Sequence, residues 1–489
     1  MLNKWKQTIS KFVCFVLTCQ LFILTVWAKP DGPSDTGIMA EAGIVMDMDS
    51  GAILYGQNIH LTYPPASITK ILTALIVLEN CNLDDTVTFS TTAVNQVEAD
   101  SGNKISVVAG DQLSVEDCLY SMLLVSCNQA ANALAEHTAG SISAFVNMMN
   151  EKLAQLGCQE SHFENPSGLN GDNQYVSAYD MALIAQAAYD NETLVEISSA
   201  TTHKIAPTTQ NPDGFTIRGE HRLCVTEDPS SPYYYPEAVA GKTGYLIKAG
   251  NTLVTYAVKD NRRLISVILK GQPRQYFVDG KALLEFGFRS FQDYTVADYE
   301  SRYVTGNETI NLDKGSFQAS DLMIDPDSVI TLPNSASFED ADITLGALPE
   351  ISPDNAVALL TYSYNDRTIG TAYLLAKDGV TIDGNDSAAE AATTAFDTAN
   401  AEAPLATASN AEKPQRPHKH ISVAGVLITI LIVLLVLGVI GLISWFIYSK
   451  KKEAKALAKR RERRRQRLQR SGDEEEFERL LAEYKNKKK

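Results

Sequence analysis

Pro64-Pro65-Ala66-Ser67-Ile68-Thr69-Lys70-Ile71-Leu72 is the stretch on which the reading of this chain turns. The prolines interrupt what precedes them, and a helix pattern starts at Ser67, with Ile71, Leu72, Leu75 and Leu78 on one apolar stripe. Residues three apart share a helix face, so Ser67 and Lys70 lie side by side. A serine hydroxyl is a poor nucleophile until a neighbouring base takes its proton. A lysine can be that base when desolvation and a second nearby cation suppress its charge. Ser-x-x-Lys alone arises by chance in many helices as ordinary surface side chains, so the rest of the chain has to decide.

Outward from that helix, residues 41–56 read as a hairpin turning at Asp49-Ser50-Gly51. Residues 114–156 look helical in several pieces, the first capped by Ser114 with Asp117 three residues on, and Ser177–Tyr189 opens in the same way. Strand-like runs return at Leu253–Val258 and Leu264–Leu269, joined by 259–263, and Ala282–Phe288 reads as a closing helix. Strands at both ends with helices between predict an α/β (α+β) domain, residues 36–290, whose sheet draws on opposite ends of the chain. From about Asp293 short Val, Ile and Thr runs alternate with Asp, Asn, Gly and Pro turns, which predicts a small all-β domain over 295–380. Residues 381–420 carry almost no large apolar groups and read as a flexible stalk.

Two segments bear on the compartment. Lys4, Lys6 and Lys11 precede an apolar run from Phe12 to Trp27, followed by Ala28, so residues 1–28 read as a cleavable signal peptide. Residues 421–448 hold no charge, and about 20 such residues in a helix cross a bilayer core. Lys450, Lys451 and Lys452 follow, then a cluster from Lys459 to Arg465, which places the 449–489 tail in the cytoplasm. The expectation is a single-pass membrane protein with a C-terminal transmembrane helix and everything from 29 to 420 outside. The basic tail reads first as a topology determinant. Anionic lipid, attracted by about 1 kcal/mol per basic residue, or a cytoplasmic partner stay open for it.

The net charge of -16 is unevenly spread, with basic residues crowding the end and an acidic body before them, which argues against nucleic acid as a partner. Cys14 and Cys19 leave with the signal. The remaining Cys81, Cys118, Cys127, Cys158 and Cys224 are odd in number, show no metal-ligand spacing and make no dense disulfide scaffold; one bridge, of unassigned partners, stays open. No His-x-x-x-His occurs among the seven histidines, so no metal and no cofactor is expected.

Two further motifs change the weight of Ser-x-x-Lys. Ser126-Cys127-Asn128 stands between helical stretches, and Lys242-Thr243-Gly244 follows the strand-like Ala238-Val239-Ala240 and Gly241. Ser-x-x-Lys, Ser-x-Asn and Lys-Thr-Gly in this order resemble penicillin-binding proteins and serine β-lactamases. Asn165-Pro166-Ser167-Gly168-Leu169, Ala178-Tyr179-Asp180-Met181-Ala182 and Gly241-Lys242-Thr243-Gly244-Tyr245 extend the likeness to the low-molecular-mass D-alanyl-D-alanine carboxypeptidases, over roughly residues 40–290. The β domain fits that family's layout too.

The resemblance implies a penicillin-binding-protein transpeptidase-like fold and a bacterial cell-membrane location. It implies that Ser67 attacks the penultimate D-Ala carbonyl of peptidoglycan stem peptides, with Lys70 as base and Ser126 relaying a proton to the leaving D-Ala. Asn128 would bind the substrate amide, Lys242 and Thr243 the terminal carboxylate, and the backbone N–H groups of Ser67 and Tyr245 the oxyanion, with Gly244 between them. β-Lactam antibiotics would acylate Ser67 as covalent inhibitors. Ser167 stands where relatives often carry His, and Gln174-Tyr175 lacks another. A β-lactamase would need a deacylating glutamate, for which Glu164 stands in the wrong sequence setting. A D,D-endopeptidase cutting cross-links uses the same machinery, and a catalytically silent wall-binding protein is the alternative outside enzymes.

Overall fold

The structure is a computed structural model that describes residues 36–382, apart from 99–100 and 350. The signal segment, all but the start of the stalk, the 421–448 span and the basic tail lie outside the described residues. No helix among the described residues is long and apolar enough to cross a membrane.

A five-stranded antiparallel sheet organises the first part of the chain. Its order is Ile53–Gln57, Ala42–Asp47, Arg262–Gly271, Gly250–Lys259, Ala238–Leu246, so its strands come from opposite ends of this region, as the pattern predicts. Gly51, at φ 71°, lets the first hairpin turn, and Asp47 fixes the turn by accepting hydrogen bonds from the Asp49 and Ser50 amides at 3.1 and 3.0 Å. The second hairpin is tighter than the sequence suggests. Only Asp260 and Asn261, both at positive φ, separate its strands, because such a two-residue turn matches their twist.

Both faces of this sheet are covered. Ile44, Met46, Val254 and Val267 pack into a core with Ile71, Leu72 and Leu75 of helix Lys70–Asn80. Val45, Leu253, Leu264 and Ile268 pack on the other side against Leu283, Leu284 and Phe286 of helix Gln275–Ser290. Only 282–288 of that second helix is legible from its pattern, and the physical reason is on its buried face. Gly280 and Gly287 sit where a Cβ would come within 2.8 Å of Leu253 and 2.7 Å of Leu264. Buried Asp279 accepts the amides of Met39 and Ala40 at 2.9 and 2.8 Å. Two glycines and a buried carboxylate dilute the apolar stripe.

Residues 114–156 form three helices, Val115–Leu124, Asn128–Ala139 and Ile142–Gln155. Ser114 caps the first by accepting the Asp117 amide at 3.0 Å, and Ser177 does the same for Ala178–Tyr189 through Asp180. The Ser67 region differs from expectation in one respect. Ala66–Thr69 is a 3₁₀ turn, and the α-helix begins at Lys70.

The β region starts earlier than residue 295. Strand Phe291–Thr295 follows Ser290 without a linker and pairs with Val329–Pro333. The sheet continues through Arg367–Ala376 and Ala356–Tyr364 to Asp342–Gly346, and Leu322–Ile324 also joins Arg367–Ala376. Ile330, Leu332, Leu360, Tyr362 and Leu374 form its own core.

Candidate active site

Lys70 is wholly enclosed by the fold. Its Nζ donates to Asn128 Oδ1 at 2.8 Å and to the Ser167 carbonyl at 2.5 Å, and lies 3.0 Å from Ser67 Oγ. Two of these partners can only accept. The third, a hydroxyl, can donate, so a neutral amine has a complete set of partners: two N–H donors used and a lone pair turned to Ser67. Burial holds the Lys70 pKa well below that of an ordinary lysine, and the charge of Lys242 lowers it further.

The nucleophile is presented by a strained turn. Ala66 has φ 52°, and Gly168, at φ 82°, is pressed onto the Ala66 carbonyl so closely that any Cβ would overlap it. Ser126 is also left-handed, at φ 61°. Such non-glycine conformations cost about 1–3 kcal/mol each and persist where the surroundings impose them.

Strand Ala238–Leu246 forms the sheet edge beside Ser67. A Cβ on Gly244 would lie 2.8 Å from the Ser67 amide nitrogen and 2.3 Å from Thr252 Oγ1, so glycine is what allows this strand to reach the nucleophile. Lys242 is buried and donates to the Thr243 carbonyl at 2.9 Å. Desolvation brings its pKa down to about 8, with Glu220 opposing that shift and Lys104 adding to it.

The structure therefore brings together all the residues singled out from the sequence. Ser67, Ser126, Asn128, Thr243, Gly244 and Tyr245 line one cleft of about 830 Å³, with Lys70 and Lys242 buried in its walls. No hydrogen bond joins the Ser126 hydroxyl to Lys70 or Lys242 among the described residues. Ser167 meets Lys70 through its backbone carbonyl, so this contact does not depend on the side chain at that position. Gln174 braces the same loop, accepting from the amides of Glu164 and Asn165 and donating to the Leu169 carbonyl. Glu164 binds Asn173 and lines a separate groove, outside the cleft that holds Ser67.

Other residues of the cleft carry no motif. Glu98, Lys104, Glu220 and Arg222 line it, and buried His221 sits against Gly241, one residue before Lys242. Burial holds the His221 pKa down to about 4. These positions lie in loops or, for Arg222, at the start of a four-residue helix, where hydrophobic period gives no signal. Among the described residues no three His, Cys, Asp or Glu side chains are grouped as metal ligands. All five cysteines there are free thiols.

A hydroxyl beside a charge-suppressed lysine, with a second lysine across the cleft, defines a serine acyl-transfer enzyme that uses lysine where other serine hydrolases use histidine. The chain belongs to the D-alanyl-D-alanine carboxypeptidase family, whose profile matches residues 29–272. D-alanyl-D-alanine carboxypeptidase DacB2 of Mycobacterium tuberculosis is 34% identical over 265 residues, covering 53% of this chain and 84% of that relative. D-alanyl-D-alanine carboxypeptidase DacA of Haemophilus influenzae is 31% identical over 360 residues, 70% of this chain and 86% of its own. Penicillin binding protein 5 from Haemophilus influenzae superimposes with a TM-score of 0.55 at 25% identity, covering 72% of this chain and 100% of that one. The activity is that of a serine-type D-alanyl-D-alanine carboxypeptidase.

Proposed function

We propose that the enzyme removes the terminal D-Ala of peptidoglycan stem pentapeptides through an acyl-enzyme on Ser67. The observation that carries this is the Lys70 amine, buried, charge-suppressed and placed between two carbonyl acceptors and the Ser67 hydroxyl. Lys70 takes the Ser67 proton as Oγ bonds to the penultimate D-Ala carbonyl. The carbonyl oxygen becomes an oxyanion held by the Ser67 and Tyr245 amides, where one donor is worth about 3 kcal/mol of barrier. Ser126 passes the proton from Lys70 to the leaving nitrogen, the C–N bond breaks, and D-Ala departs. Asn128, whose Oδ1 is occupied by Lys70, offers its Nδ2 to the substrate. Protonated Lys242, with Thr243, receives the terminal carboxylate. Water then attacks the ester and restores Ser67.

β-Lactams, which mimic the D-Ala-D-Ala end, would acylate the same hydroxyl. We also place this domain outside a bacterial membrane, anchored by residues 421–448 with the 449–489 tail in the cytoplasm; the uncharged run and the lysines after it support that placement.

The test is D-Ala release from a pentapeptide by the full-length chain in detergent, beside Ser67→Ala. Loss of a serine nucleophile should lower turnover by roughly 10⁶-fold and abolish labelling by penicillin. A Ser67→Ala chain that still releases D-Ala would dismiss the assignment. Release only from cross-linked peptides would turn it into a D,D-endopeptidase.

A further inference from the structure

Charges of both signs line the cleft, Glu98 and Glu220 with Lys104, Arg222 and Lys248. Lys104 pairs with Glu220 at 3.4 Å, and both are close enough to Lys242 to act on its proton. From Lys242 the edge strand passes Ser67 at Gly244 and runs on to Tyr245 and Leu246, after which Ile247 and Lys248 also line the cleft. Glu98, Leu169 and Asn170 line this cleft and also a second groove of about 450 Å³ beside it. That groove is bordered by Glu98, Glu164 and several amide side chains, and by no lysine, arginine or histidine.

Glu98 is held in place without being neutralised. Its Oε1 accepts from the Asn170 amide at 2.7 Å and from Asn170 Nδ2 at 2.8 Å, and Oε2 lies 3.0 Å from the same Nδ2. All are neutral donors, and no ion pair to Glu98 occurs among the described residues. Its partner loop is the one that fixes the nucleophile: Ser167 accepts from Lys70, and Gly168 rests on Ala66. An anion positioned this firmly on the wall of a peptide cleft is organised for a cation that arrives with the substrate.

We infer that Glu98 is a specificity residue that receives a free amino group on the side chain preceding D-Ala-D-Ala. This rests on the carboxypeptidase reading. With the terminal carboxylate at Lys242 and the scissile carbonyl at Ser67, the rest of the peptide extends past Gly244, away from Lys242. Side chains of an extended peptide alternate between faces, so the residue before D-Ala-D-Ala is the first whose long side chain can leave the strand for the opposite wall.

The experiment compares two peptides, one ending Lys-D-Ala-D-Ala with a free ε-amine and the other with that amine acetylated, on the full-length chain in detergent. Wild type should favour the free amine by about fivefold in kcat/KM, carried by KM, as expected of a partly exposed ion pair. Glu98→Gln keeps an oxygen for the Asn170 amide but removes the charge, and should bring the ratio close to one. Raising salt should shrink the wild-type ratio too, which tests the idea should the variant fail to fold. Equal rates on both peptides in wild type, or a preference unchanged in Glu98→Gln and insensitive to salt, would overturn it while leaving the carboxypeptidase reading intact. No release from either peptide by folded chain would remove both.

Discussion

Arg262, half-buried, and Lys70, fully buried, are basic side chains reached from the same sheet, yet their surroundings differ. Arg262 opens strand Arg262–Gly271 at the junction with the β region and meets two carboxylates, Asp293 Oδ2 at 2.8 Å and Asp47 Oδ2 at 3.2 Å. It also donates to the Phe291 carbonyl at 2.9 Å, while Thr331 donates to Asp293 and touches Ser50. Lys70 and Lys242, by contrast, are enclosed with each other's charge and without a carboxylate within ion-pair distance among the described residues. Opposite charges together hold two parts of a fold in register. Like charges buried together oppose folding, and what they gain is an amine that is neutral when a proton must be taken.

The largest expected effect is on the amine. Lys70→Arg keeps a cation of similar reach but cannot give up its proton, because guanidinium stays charged. D-Ala release should fall by about 10²–10⁴, the range for loss of a general base. Near-normal turnover in a folded Lys70→Arg chain would mean that the base lies elsewhere.

The same contrast predicts stability changes of opposite sign. Arg262→Met leaves buried Asp47 facing half-buried Asp293, and since breaking a fully buried pair from one side costs about 3–5 kcal/mol, the loss here should approach the lower part of that range. Lys242→Met removes a charge whose folded pKa, about 8, lies below the ordinary 10.5. That lysine opposes folding in full below pH 8, and its cost fades as pH rises towards 10.5. At pH 7 Lys242→Met should therefore unfold at higher urea than wild type and Arg262→Met at lower. A loss of stability in both would erase the distinction between the clusters.

The difference in legibility between the two clusters has the same root. Ser67, Lys70, Ser126, Asn128 and Lys242 stand in short motifs because the chemistry fixes residue type and local spacing. The hairpin at Gly51 and the helix caps at Ser114 and Ser177 are readable because a local interaction makes each one. Arg262, Asp47 and Asp293 come together only through long-range pairing, and nothing in their neighbourhoods announces it. Ala66 and Ser126 look ordinary in sequence. Their left-handed backbones are imposed by tertiary contacts such as Gly168 on Ala66. Glu98 is invisible for a similar reason, since its role depends on a loop far along the chain, as the Asn170 bond spans 72 positions.

Lys242 sharpens the comparison through pH. It has to be protonated to meet a carboxylate, so kcat/KM should decline as pH rises past about 8, while the acid limb rises as Lys70 loses its proton. Lys242→Arg should retain substrate binding and carry the alkaline limb to higher pH. If the limb stays near 8 in that variant, another group sets it.

The smallest expected effect concerns Asp47. Burial, followed by the charge of Asp293, raises its pKa from 3.8 to about 6, against the pull of Arg262 and the Ser50 amide. Asp49 is the other like charge facing it, and Ser50 and Thr331 complete the contact. Between those two pH values the folded chain holds more protons than the unfolded chain, so this carboxyl makes stability fall as pH rises. The effect is at most about 3 kcal/mol, since each tenfold change in proton affinity is worth about 1.4 kcal/mol. Asp47→Asn removes the titration, although its amide turns a donor towards Arg262. The variant should be weakened most at low pH and regain ground on wild type as pH rises to 6, read as the difference in urea midpoints. A difference that stays constant across that window would show that the junction does not feel this proton, and that only the catalytic cluster couples its charge to pH.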